Sequence, residues 1–179
     1  MLKRALLTSL GLLLLASPAF AGDAGWSATW ASSQMTPTGD NALPAGDTSD
    51  VTIRQIVHVS GGGAKIRIRV SNAMSDAPLR IKDVHVALGK LGSDAVDADS
   101  DRAVTFGGED EVLVPSFGEY VSDPISLNVP DGASLAVTVY IPGPISQQTG
   151  HPGSRATTYI VHGDHTGAPA LPGAEKRAN

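Results

Sequence analysis

Ala64-Lys65-Ile66-Arg67-Ile68-Arg69-Val70-Ser71 decides the fold class. Ala64, Ile66, Ile68 and Val70 fall on one side of an extended chain, and Lys65, Arg67, Arg69 and Ser71 on the other, because successive side chains of a strand point to opposite faces. A helix would scatter the three bases around its circumference. Gly61-Gly62-Gly63 precedes this run as a flexible turn, and residues 51–60 (VTIRQIVHVS) are β-branched and apolar enough for a buried or half-buried strand. Two such runs about a glycine turn predict a β-hairpin.

The same reading extends outward. Residues 81–89 place Val84, Val86 and Leu88 on one face, and residues 134–141 do the same with Leu135, Val137, Val139 and Ile141. Short strands at 102–106 and 111–115 flank Gly107-Gly108. Residues 119–127 form another, interrupted by Pro124, which marks an edge or a bulge. Pro130-Asp131-Gly132 is a turn, since proline presets φ and glycine accepts a positive φ. The last strand is 155–162. Upstream, Trp26-Ser27-Ala28-Thr29-Trp30 reads as extended chain with both rings on one side, although a spacing of four also suits a helix face. Residues 34–50 and 94–101 read as loops. Eight or nine short strands without an amphipathic helix predict an all-β domain over 22–165, an antiparallel β-sandwich or jelly-roll-like fold. Residues 166–179 (TGAPALPGAEKRAN) carry no core pattern and read as a linker or frayed tail.

The first 21 residues predict export. Lys3 and Arg4 open the chain, an apolar run covers 6–16, Ser17-Pro18 breaks it, and Ala19-Phe20-Ala21 is an A-x-A cleavage site. The run is shorter than the roughly 20 residues a membrane span needs, so a signal peptide cleaved after Ala21 and a secreted or periplasmic product are expected. No later stretch suits a membrane span. Cleavage leaves 158 of 179 residues, and loss of Lys3 and Arg4 leaves 11 basic against 18 acidic residues, a net charge of −7. That balance, without a basic stripe or a set of stacking aromatics, argues against nucleic acid. There is no cysteine, so stability rests on a packed core.

Four groups of residues are candidates for chemistry. His151, His162, Asp164 and His165 lie within fifteen positions, the density of a metal site, yet there is neither HExxH nor a cysteine pair, and a polar turn with hydrogen-bonding imidazoles is the simpler reading. A nucleophile would need a strand-to-helix elbow; no G-x-S-x-G occurs, and Gly46-Asp47-Thr48-Ser49, a faint echo of the G-D-S of another hydrolase class, stands in a loop before a strand. Lys65, Arg67 and Arg69 form a basic strand face, solvated or in contact with an acidic polymer or a partner, with Asp83, Asp101 and Asp123 as carboxylates for the arginine forks. Trp26, Trp30, Tyr120, Tyr140 and Tyr159 would make a platform for sugar rings, although the two tryptophans, so near the start, serve more simply as core or interdomain plugs. None implies a cofactor.

Several words occur together in order: Trp26-Ser27-Ala28-Thr29-Trp30-Ala31-Ser32, Arg54-Gln55-Ile56-Val57-His58-Val59-Ser60, Ile66 to Ala73 (IRIRVSNA), Ala77-Pro78-Leu79, His85-Val86-Ala87, Asp101 to Gly108 (DRAVTFGG), Val121-Ser122-Asp123-Pro124, His151-Pro152-Gly153 and Gly163-Asp164-His165-Thr166. Over about 26–172 the chain resembles the region ahead of the catalytic domain in secreted SGNH/GDSL-type esterases. The resemblance implies a β-rich accessory domain. It implies a partner hydrolase domain carrying the catalytic Ser, Gly, Asn and His blocks, none of which this chain contains, so no catalytic residue is assigned. The expected role is a non-catalytic β-sandwich of an ester hydrolase, the chain being a fragment, a truncated gene product or one piece of a split reading frame. The alternative is a stand-alone secreted module for carbohydrate or envelope contact. Residues expected to touch a ligand or a neighbouring domain are Trp26, Trp30, Arg67, Arg69, His151, Tyr159, Asp164 and His165.

Overall fold

Period-two runs of valine and isoleucine need a second layer to cover their apolar side. The computed structural model, which describes residues 25–178, shows how they find it. The leader expected at 1–21 lies outside the described residues. Eleven antiparallel strands follow in order: β1 (Val51–His58), β2 (Gly63–Ile66), β3 (Arg69–Ser71), β4 (Leu79–Leu88), β5 (Arg102–Val104), β6 (Glu111–Val114), β7 (Glu119–Val121), β8 (Ile125–Val129), β9 (Ser134–Ile141), β10 (Thr157–His162) and β11 (Glu175–Ala178). Seven form one sheet in the order β11-β10-β1-β9-β4-β5, with β6 also on β4. Two ribbons, β2-β8 and β3-β7, form the facing layer. The fold is an all-β sandwich, not a closed barrel.

The inter-sheet core is nearly all aliphatic. Val57, Val84, Val86 and Leu135 of the large sheet meet Val70, Ile125, Leu127 and Val129 of the ribbons. A bulge in β4 lets Ile81 and Val84 both reach this core. Between Lys82 and Val84 the register with β9 slips, with Asp83 in the left-handed region at φ 48°. The extra residue reverses the parity of the strand.

Four expectations are corrected. The hairpin of β1 with the 64–71 run does not form: β1 lies between β9 and β10, and Gly61–Gly63 carries the chain across to the ribbon layer. Gly62 passes so close to the Val129 carbonyl that a Cβ would collide with it, while its N–H donates to Asp131 Oδ1 at 2.7 Å. The 64–71 and 119–127 runs each divide in two. Their chains change partner where Ile68 N–H donates to Ser122 Oγ (2.9 Å) and where Pro124 has no N–H to offer a ladder. Residues 26–33 form no strand. Their hydrogen bonds go to the end of β1 instead: Gly61 N–H donates to Thr29 Oγ1 (2.8 Å) and Ser60 N–H to the Thr29 carbonyl (3.0 Å). Finally, the 166–178 segment is not a free tail. Leu171 is buried on Ile56, Ala136 and Tyr159, and β11 pairs with β10. One leucine among small residues is too sparse a signal to read as core.

Candidate functional site

The large sheet presents its second face to the 163–174 segment, and the residue holding the two together is Arg54. On β1 the odd positions share the ribbon side of the sheet, Val57 in the inter-sheet core and Ile53 and Gln55 under the 37–43 and 145–152 loops, so Thr52, Arg54 and Ile56 face the other way. Arg54 is 1% exposed. Its Nε donates to Thr138 Oγ1 (2.8 Å), and its two terminal nitrogens donate to the carbonyls of Asp94 (2.6 Å) and Ala168 (2.7 Å). Burial pushes its pKa down, while Asp94 and Asp101 push it back up. Asp94 in turn accepts Leu171 N–H at 2.6 Å. A buried cation with every contact spent on protein oxygens is a staple, not a ligand site.

Beside it His85 Nδ1 meets Asp101 Oδ2 at 2.7 Å. Asp164 Oδ1 accepts the N–H and hydroxyl of Thr166 (3.2 and 2.9 Å) and sits against Asp83. Burial and the neighbouring Asp164 raise the pKa of Asp83; burial pushes that of Asp164 up as well, but hydrogen bonds from Thr166 and Asp83 and the charge of Lys82 together lower it. His165 is exposed, its backbone N–H donating to Thr52 Oγ1 (2.9 Å). His162 pairs with Asp47 at 3.1 Å, in the turn that carries the G-D-T-S echo. His151 lies elsewhere, so the four clustered residues of the sequence do not converge. Among the described residues no group of three or more His, Cys, Asp or Glu side chains is placed to hold a metal ion.

His151 lines a cleft of about 140 Å³ between the large sheet and the 37–43 and 145–152 loops. Its floor is Ile53, Ile141 and Ile160, and its polar wall includes Gln55, Gln148 and Thr149. The side chain of Gln148 bridges Leu43, donating to its carbonyl and accepting its N–H. Trp30 packs against the ribbon-side core and meets His151 edge-on at 5.5 Å. His151 Nδ1 lies 2.8 Å from Ser154 Oγ, and Nε2 lies 3.1 Å from the amide nitrogen of Gln55. Burial lowers the pKa of His151, which favours the neutral ring. Since an amide nitrogen only donates, Nε2 accepts and the ring proton sits on Nδ1, where it is given to Ser154. That polarity is the reverse of a general base acting on a serine. A carboxamide also cannot balance an imidazolium as a carboxylate does.

The third locus is the outer face of the ribbon layer. Arg67 lies over the Trp26 ring at 4.6 Å, with Trp26 53% exposed. Arg69 pairs with Glu119 at 3.0 Å on the exposed side of β3-β7. Of the three carboxylates expected to serve the arginines, only Asp123 stands beside Arg67; Asp83 and Asp101 serve the opposite side of the molecule. Asp123 accepts from Gly108 N–H (2.8 Å) and Thr105 Oγ1 (2.7 Å), which hold its pKa below the usual range.

The eight expected residues thus separate. Trp26 joins Arg67, and Trp30 joins His151. Arg69 stands by the first pair, whereas Asp164 and His165 lie at the turn after β10. Tyr159 is withdrawn from any ligand surface: it is 5% exposed beneath Leu171, and its buried hydroxyl has no partner among the described residues. The two tryptophans part because the segment between them follows Thr29 around the end of β1. Sequence reasoning missed Arg54, Gln55, Gln148 and Ser154. An arginine or glutamine inside a strand carries no mark of the face on which it will lie. Compared with protein-family models and with curated proteins, the chain matches none. No helix among the described residues is long and apolar enough to cross a membrane.

Proposed function

We propose that this chain is the N-terminal β-sandwich of an exported SGNH/GDSL-type ester hydrolase whose catalytic serine and histidine lie on a following domain. The supporting observation is how the polar residues of the resembling words are used. Arg54 staples the sheet to the 163–174 segment, Asn72 donates to the carbonyls of Ala77 (2.8 Å) and Pro115 (3.1 Å), and Asp101 holds His85. Asp123 gathers the turn after β5, and Thr166 closes the turn at Asp164. Residues spent this way build a scaffold. In the full enzyme the scaffold packs beside the hydrolase domain and shapes its cleft, and the ester of a carbohydrate or lipid is cleaved by serine attack with histidine as base. The leader at 1–21 delivers the protein outside the cytoplasm.

Incubating the purified chain with p-nitrophenyl acetate tests the division of labour. The reading expects no saturable turnover sensitive to a serine-directed phosphonate. Turnover that such a reagent abolishes would place a catalytic serine in this chain and refute it.

A further inference from the structure

The outer face of the ribbon layer combines three features of a ligand surface. Lys65, Arg67 and Arg69 are all exposed on the same side of the β2-β3 run. The acids beside them are occupied, Glu119 with Arg69 and Asp123 with Gly108 and Thr105. Among the described residues Arg67 spends no donor on a carboxylate, and its guanidinium lies over the Trp26 ring at 4.6 Å. Stacking fixes the plane of the fork while leaving its N–H edge open, so little rotamer entropy remains to be lost on binding. More than half of the Trp26 surface stays exposed for a second flat or apolar partner.

We propose that this face binds a carboxylated polysaccharide, a polymer of uronate-bearing sugars. Arginine forks match carboxylates bidentately, and the Arg69–Glu119 pair shows a carboxylate already seated on this surface. Exposed indole stacks on the apolar face of a sugar ring. The chain as a whole carries a net charge of −5, which repels densely charged polyanions at long range. A local basic strip therefore suits a polymer whose charges are sparse and separated by sugar rings. The inference goes beyond the hydrolase reading and does not rest on it, because binding is measured on this chain alone.

Affinity electrophoresis of the full chain in polygalacturonate at low ionic strength tests it, with fully methyl-esterified polygalacturonate as the uncharged control. Retardation is expected in the first gel, absent in the second, and weaker as salt is added. Trp26→Ala and Arg67→Gln should each weaken binding about tenfold, the scale of one charge-assisted contact. The double variant Arg67→Glu/Arg69→Glu should abolish it with the melting temperature unchanged. Should that double variant unfold, Arg67→Gln/Arg69→Gln serves in its place. No retardation of the wild-type chain would overturn the proposal, as would equal retardation by the esterified polymer or undiminished binding by the charge-altered variants. Binding to phosphatidylserine vesicles in place of the polymer would overturn it too.

Discussion

The two faces of the seven-stranded sheet are covered by different means. Toward the ribbons, valine, isoleucine and leucine interlock in a core that includes Val84, Val86, Val114 and Leu127. Toward the 163–174 segment the fully buried apolar contact shrinks to Ile56, Ala136, Tyr159 and Leu171, and hydrogen bonds that Arg54 donates and that Thr52 and Asp94 accept complete the attachment. The first cover is non-directional and tolerates repacking. The second depends on a few placed donors and acceptors, each of which leaves a buried partner unsatisfied if removed.

The largest effect is expected at the staple. Arg54→Met should destabilise the domain by about 4 kcal/mol in urea unfolding, because the Asp94 and Ala168 carbonyls and the Thr138 hydroxyl lose a charged donor while buried. A loss below about 1 kcal/mol would show that the second face is held by its apolar contacts after all. Next come two leucine truncations. Leu127→Ala, in the close-packed inter-sheet core, should cost about 3 kcal/mol, and Leu171→Ala about 2 kcal/mol, since a loop can settle into the space while two sheets cannot. Equal costs would erase the distinction between the faces.

A smaller effect concerns pH. Burial lowers the folded-state pKa of His151 below 6.5, so as pH falls the unfolded chain takes up that proton first. The contribution is complete above about 6.5 and is lost as pH falls toward the lowered folded-state value. Melting temperature should therefore be lower at pH 5.5 than at pH 7.5, and His151→Gln should reduce that difference. An identical pH response in the variant would remove His151 from the account. Smallest of all, Arg69→Ala should change stability by less than about 0.5 kcal/mol, because its pair with Glu119 is exposed to solvent.

The same contrast explains what was legible in the sequence. Strand β1 follows from its β-branched apolar run and β4 and β9 from alternation, and β9 spans the same residues that the pattern marks, 134–141. The Pro130-Asp131-Gly132 turn forms with Gly132 at φ 68°. What alternation does not carry is pairing, so the hairpin expected at Gly61–Gly63 does not form, although 51–58 is a strand and 64–71 is extended in two pieces. Nor does it carry the second face. Arg54 sits in a hydrophobic run, and Leu171 sits in a segment of alanine, proline and glycine; neither shows its burial until the chain has folded around it. Of the candidate residues, the Trp26–Arg67 and Trp30–His151 pairs join positions 41 and 121 residues apart, distances no local pattern spans. The burial of Tyr159 under Leu171 is not legible in the sequence, since an aromatic on a β-strand is equally compatible with either face.

The central claim, that this sandwich is the front of a two-part ester hydrolase, is tested most directly by sequencing the DNA immediately downstream of the Asn179 codon. The account predicts an open frame, or one displaced by a single frameshift, encoding a strand that ends in Gly-Asp-Ser and later blocks with the remaining catalytic residues. A stop codon followed by unrelated sequence would contradict it, and would leave the domain as a module acting through its own surface.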